Sequence, residues 1–214
     1  MPPDLPAAAA PWGVVVPVKR LAVAKSRLAS YGDDLRTALA LAFAADVVVA
    51  ALACPLVRRV LVVTDDEAAA AALAALGAAV APDDPDAGLN PALDHGADLL
   101  RGAEGPIGIA TVSSDLPSLR AGDLTGALAV VGRGQRGFVA DLAGTGTTLL
   151  AAGPGAALSP SYGPDSAARH AASGATPLAA GVSLRRDVDT PDDLRDAVRL
   201  GVGPHTRELV PRLG

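Results

Sequence analysis

A chain of 214 residues has the length of one α/β domain, and its 50% hydrophobic content supplies a core, which excludes wholesale disorder. Lys+Arg 18 against Asp+Glu 23 gives a net charge of -5, so the basic footprint of a duplex nucleic-acid or anionic-membrane binder is missing, and 2% aromatic content leaves little for a base-stacking platform. The lone Cys54 excludes an internal disulfide and a cysteine zinc cluster.

Residues 1–11 are Pro/Ala-rich, with neither a basic start nor a cleavage pattern after a long apolar run. They are expected to be a disordered lead-in rather than a secretion signal, followed by one domain over residues 12–214. From Trp12 onward short apolar runs alternate with longer Ala/Leu-rich segments, the pattern of β-α units around a mostly parallel sheet. Strands are predicted at 13–18, 60–64, 107–112, 137–141 and 147–151, and helices at 33–53, 67–76, 91–100, 121–131, 165–172 and 191–200. The last helix has Thr190 as N-cap, Pro191 at its first position and Asp193 three after the cap, where negative charge suits the dipole. The longest apolar stretch, residues 38–53, is broken by Asp46 and falls short of the ~20 residues of a membrane span, so a soluble cytoplasmic protein is expected.

Five places could carry chemistry. Lys19, Arg20, Lys25 and Arg27 gather where the first strand ends, the edge at which open α/β sheets hold ligands, and such cations suit a triphosphate. Both lysines of the chain fall in this segment, and no Gly-x4-Gly-Lys-Ser/Thr loop accompanies them. Asp115 follows a buried-looking strand and could hold Mg²⁺, though a turn before Pro117 accounts for it equally well. Asp187 and Asp189 share one face of an extended segment and repel each other unless a cation lies between them; alternatively Asp189 assists the following cap. Glycine-rich stretches at 144–148 and 162–170 could receive a small phosphorylated acid, the second at the start of a helix with Ser166 adding a hydroxyl. Asn90, the sole asparagine, either caps a helix ahead of Pro91 or presents its amide to a nucleobase edge. His95, His170 and His205 are scattered and set up no nucleophile, and of the three only His170 stands where it could join the anion site of the second glycine stretch.

Taken in order, Val16-Pro17-Val18-Lys19 with Lys25-Ser26-Arg27-Leu28, Gly88-Leu89-Asn90, Asp115-Leu116-Pro117, Gly144-Thr145-Gly146-Thr147, Gly163-Pro164-Asp165-Ser166 with Arg169-His170, and Asp187-Val188-Asp189-Thr190-Pro191 resemble one family. It is that of the phosphoenolpyruvate or 2-phospho-L-lactate guanylyltransferases of deazaflavin coenzyme F(420) biosynthesis. The resemblance implies a single-domain nucleotidyltransferase fold, Rossmann-like and of the GT-A type, with a mixed, mostly parallel sheet. It implies GTP and phosphoenolpyruvate as reactants, Mg²⁺ as cofactor, enolpyruvoyl-diphospho-guanosine as product, and the next pathway enzyme as a partner. Residue by residue, it places Thr147, Gly163 and Ser166 on phosphoenolpyruvate, Asp115, Asp187 and Asp189 on the metal, and Lys19 and Lys25 on the GTP phosphates. Lys19, Lys25 and Asp115 are then the catalytic set. The alternatives are 2-phospho-L-lactate or 3-phosphoglycerate as acceptor, or a non-catalytic nucleotide-binding subunit. Two departures stand out: nucleotidyltransferases usually carry a glycine-rich loop where this chain has Pro17-Val18-Lys19-Arg20, and Ser113-Ser114 before Asp115 lacks a glycine.

Overall fold

The computed structural model describes residues 11–84 and 86–213, so the lead-in expected at 1–11 lies outside the described residues apart from Pro11. In chain order the elements are β1 (Trp12–Pro17), α1 (Asp33–Leu52), β2 (Val57–Val63), α2 (Glu67–Ala75), β3 (Ala79–Ala81), α3 (Leu89–Glu104) and β4 (Gly108–Val112). They continue with α4 (Ala121–Ala129), β5 (Arg136–Ala140), β6 (Thr147–Ala152), α5 (Ser166–Ala172), β7 (Thr176–Pro177), α6 (Pro191–Leu200) and α7 (Pro204–Leu209). Every predicted strand and helix forms, the largest difference in bounds falling on α3. The elements not foreseen are β3, β7, α7 and short 3-10 turns, all too brief to show a hydrophobic period.

Among the described residues the strands form one sheet in the order β3-β2-β1-β4-β6-β5-β7. β1, β2, β3 and β4 run parallel, whereas β6 is antiparallel to both β4 and β5, giving the expected mixed sheet. Alternation along β1 builds two cores. Val14 and Val16 pack with α1, α2 and α4, while Val15 packs with α3 on the opposite face. α3 lies close against β1 because Gly96 has no side chain: a Cβ there would stand 2.9 Å from a Val15 methyl.

A third cluster joins Leu28, Leu35, Leu39 and Phe43 to Val188, Leu194, Ala197 and Val202. It docks the C-terminal segment on α1 and draws residues 25–28 toward residues 187–189. α1 is long and apolar enough to cross a membrane by length and composition, yet 72% of its apolar window is buried inside the fold, as in a core helix. Asp46, the charge that interrupts it, is itself buried and accepts the backbone N–H groups of His205 (2.9 Å) and Thr206 (3.0 Å) at the start of α7. Its role is thus a tertiary cap.

Candidate active site

The segment after β1 has no glycine-rich loop, and other contacts fix it. Arg36, buried on α1, donates to the carbonyls of Leu21, Ala22 and Ala24. Asp66 caps α2 through Ala69 N–H (3.0 Å) and with its second oxygen accepts Leu21 N–H (2.8 Å). These hydrogen bonds hold its carboxyl below the usual range, against the opposing effect of burial. With Leu21 and Leu28 anchored in the core, the backbone from 21 to 28 is held at both ends. Lys25 sits at φ 52°, a left-handed conformation that costs a non-glycine residue about 1 kcal/mol or more.

Lys25 Nζ lies 2.7 Å from Asp115 Oδ2 and 2.8 Å from Asp189 Oδ1, and Arg27 approaches the other Asp189 oxygen at 3.6 Å. Burial opposes the ammonium charge, but Asp115 and then Asp189 outweigh it and raise the Lys25 pKa. Val188 N–H donates to the Asp115 carbonyl (3.0 Å), so Asp187 and Asp189 flank Asp115 on the neighbouring strand-like segment. The alternative role for Asp189, assisting the cap of α6, is not the one observed. Thr190 and Asp193 form a complete capping box, and Asp193 also accepts Asp189 N–H (3.2 Å), leaving the Asp189 carboxylate to the two cations.

Asp187 is pushed up to about 6, first by burial and then by the charge of Asp115, with Asp189 and Asp141 adding to it. Asp115 Oδ1 is buried and has no hydrogen-bond partner. An orphaned carboxylate oxygen beside a carboxyl short of positive charge fits a hard divalent cation such as Mg²⁺. The three oxygens do not form a closed cage, since Lys25 stands between Asp115 and Asp189; the described trio of carboxylates within 4.8 Å of one another is Asp65, Asp83 and Asp86, elsewhere on the molecule.

A cleft of about 440 Å³ opens here at the carboxyl ends of β1 and β4, lined by Lys19, Lys25, Arg27, Ser113, Asp115 and Asp189 among others. Thr147, Gly163 and Ser166 do not line it. They form a second group reached across β6, whose Thr148 carbonyl accepts Ser113 N–H (2.9 Å). Ser166 Oγ donates to Thr147 Oγ1 (3.1 Å), and Thr147 Oγ1 lies 2.9 Å from His170 Nδ1. Gly163, at φ 122°, brings the loop against Arg169, whose guanidinium a Cβ would meet at 2.9 Å.

At three places expected to meet a ligand, the structure shows hydrogen bonds already made within the chain. Asn90 has half of its amide engaged: its Nδ2 donates one N–H to the Tyr162 carbonyl (3.2 Å) and its Oδ1 accepts Tyr162 N–H (2.7 Å). The glycine turn at 144–146 wraps its own anion, with Thr145 and Gly146 N–H donating to the Asp141 carboxylate. At the start of α5 the N–H groups of Ser166 and Ala167 go to the carbonyls of Gly163 and Thr145, so two donors of the first turn are already used. Arg36, Asp66 and Tyr162 were not foreseen as site-building residues. Arg36 and Asp66 carry no local signal for this role, because the backbone groups of residues 21–24 that they hold are brought to them only by the fold.

An α/β sheet whose strand ends hold cations and carboxylates around a cleft fits the class of nucleotidyltransferases. A solved nucleotidyl transferase from Methanothermobacter superposes on the chain with a TM-score of 0.61 at 18% identity, covering 89% of this chain and 97% of that one. The family model described as guanylyl transferase CofC like matches residues 12–214, and the chain belongs to that family. It is 56% identical over 204 residues to a protein of Thermomonospora curvata named phosphoenolpyruvate guanylyltransferase, covering 94% of this chain and 90% of the relative. A relative of the same name in Streptomyces coelicolor is 54% identical, with 94% and 97% covered.

Proposed function

We propose that the chain transfers the guanylyl group of GTP to phosphoenolpyruvate: a phosphate oxygen of the acceptor attacks the α-phosphorus in line, the bond to the β-phosphate oxygen breaks, and pyrophosphate leaves. The observation that carries this reading is the Lys25–Asp115–Asp189 cluster in the cleft, with an orphaned Asp115 oxygen beside it. The acceptor phosphate is already largely ionised near neutral pH, so no protein base is required, and the chain contributes positioning and charge. Lys19 and Lys25 face the triphosphate, and Thr147, Gly163 and Ser166 hold the acceptor. Asp115, Asp187 and Asp189 would hold Mg²⁺, which when bound offsets the repulsion between the two phosphate groups. Lys25 has a second task in this scheme, since its ammonium keeps Asp115 and Asp189 paired when no other cation is near.

The product, enolpyruvoyl-diphospho-guanosine, belongs to a cytoplasmic route toward a deazaflavin coenzyme, where a following enzyme consumes it. The test is purified protein with Mg²⁺, GTP and each of phosphoenolpyruvate, 2-phospho-L-lactate and 3-phosphoglycerate, reading pyrophosphate release and product mass. Turnover with phosphoenolpyruvate at several-fold higher kcat/KM than with the other two is expected. Equal or better turnover with another acid reassigns the acceptor, and GTP binding without turnover in any mixture, the next pathway enzyme included, marks a nucleotide-binding subunit.

A further inference from the structure

The acceptor group contains one residue with no role so far. His170 is fully buried on α5, its ring 5.2 Å from Tyr162 in an edge-on arrangement and 6.1 Å from Phe138. Its Nε2 lies 2.9 Å from the backbone nitrogen of Ser161. A backbone N–H only donates, so Nε2 must be the unprotonated nitrogen. The ring is neutral in this setting, because burial pushes its pKa down to about 4, with Arg136 and then Arg169 acting in the same direction. A neutral imidazole with a bare Nε2 carries its proton on Nδ1, which then donates to Thr147 Oγ1.

The hydroxyl pair next to it can be counted. Thr147 and Ser166 have two protons between them, and one is engaged in the bond from Ser166 Oγ to Thr147 Oγ1. Thr147 oxygen already receives two donors, and with the Nδ1 position closed as an acceptor, the remaining hydroxyl proton has no acceptor among the described residues. A buried donor left unpaired costs roughly 1–3 kcal/mol, a cost removed when a ligand supplies an anionic oxygen.

We propose that His170 is a positioning residue that fixes the Thr147–Ser166 pair as a net hydrogen-bond donor toward the carboxylate or phosphate of the acceptor. The opposite tautomer would take the Thr147 proton and present oxygen lone pairs to the ligand, repelling an anion. The tautomer is held from outside the pair: Asn90 clamps Tyr162 by both of its amide groups, and Tyr162 adjoins the Ser161 N–H that closes Nε2. The device extends from α3 to the hydroxyls and gives the sole asparagine a place in it.

Provided Thr147 and Ser166 hold the acceptor, as proposed above, two measurements decide the matter. A long-range proton–nitrogen correlation spectrum of the histidine-labelled wild-type chain should show His170 as the Nδ1–H tautomer at neutral pH; an Nε2–H or doubly protonated ring overturns the proposal with no variant and no assay involved. In kinetics, His170→Leu should raise the KM for phosphoenolpyruvate roughly 10-fold with the KM for GTP unchanged, the scale of one hydrogen bond to a charged group. His170→Asn, whose amide N–H₂ can still donate to Thr147, should recover most of that loss. Equal losses for both reactants, or no rescue by asparagine, marks a packing role and overturns it. A wild-type chain with no acceptor-dependent turnover overturns instead the acceptor assignment, and with it the ligand of the hydroxyl pair, whereas the tautomer can fail by itself.

Discussion

At the scale of single residues, charge placement separates function from capping. Asp189 and Asp193 are four apart beside the same helix, and either could cap it on sequence grounds; Asp193 does so, and Asp189 pairs with Lys25 and Arg27. Asp189→Asn should therefore leave the thermal midpoint almost unchanged and lower kcat roughly 100-fold or more, the scale of one transition-state charge contact. Turnover within a few-fold of wild type would remove Asp189 from the site. Asp187 shows the cost of the arrangement. Its raised pKa means that the folded, cation-free chain disfavours its ionised form, so Asp187→Asn should raise the midpoint of the Mg²⁺-free protein by a few degrees while lowering turnover. Mg²⁺ should narrow that difference, which calorimetry with and without the ion reads directly.

His170 gives the opposite sign. Its folded pKa, about 4, lies below the ordinary histidine value of 6.5, so the unfolded chain takes up the proton first. The stability that His170 contributes is complete above pH 6.5 and declines as the pH falls from 6.5 toward 4. Denaturation of wild type and His170→Asn across that window should show the wild-type excess shrinking with acid; parallel curves would contradict a buried neutral imidazole. The sequence displayed His170 beside the glycine stretch but not its environment, since Ser161, Tyr162 and Thr147 meet it only in three dimensions.

At the scale of elements, periodicity and capping carried most of the architecture. β1, α1 and α6 are legible because a β-branched run, a long Ala/Leu segment and a Thr-Pro-x-Asp start have distinct patterns. β3 and β7, of three and two residues, have too few side chains to show a period, and α7 is started by Asp46, some 160 residues away in sequence. The site depends on a comparable long-range contact, the cluster joining Leu28 to Val188. Leu28→Ala should cost roughly 2–5 kcal/mol, as for other fully buried leucines. It should also loosen Lys25 from Asp189, so GTP KM rises in the folded fraction. A loss of stability with unchanged GTP KM would show that Arg36 and Asp66 alone fix the loop.

At the scale of the whole molecule, a net charge of -5 coexists with a cation-lined cleft because the acidic groups are spread along the chain while both lysines fall in the segment after β1. The family was legible from ordered short motifs, and the position of the site followed from where parallel strands end. The division into a charged cleft after β1 and β4 and a second group beyond β6 is expected from separate motifs; what sequence did not disclose is the buried imidazole that joins the hydroxyls of the second group. Guanylyl transfer across that division is most directly tested with phosphoenolpyruvate carrying ¹⁸O in the non-bridging phosphate positions, followed by ³¹P NMR of the product. The account predicts ¹⁸O in the bridge between the two phosphorus atoms; a bridge free of label, with the heavy isotope confined to terminal positions, would contradict attack by the acceptor phosphate on the α-phosphorus of GTP.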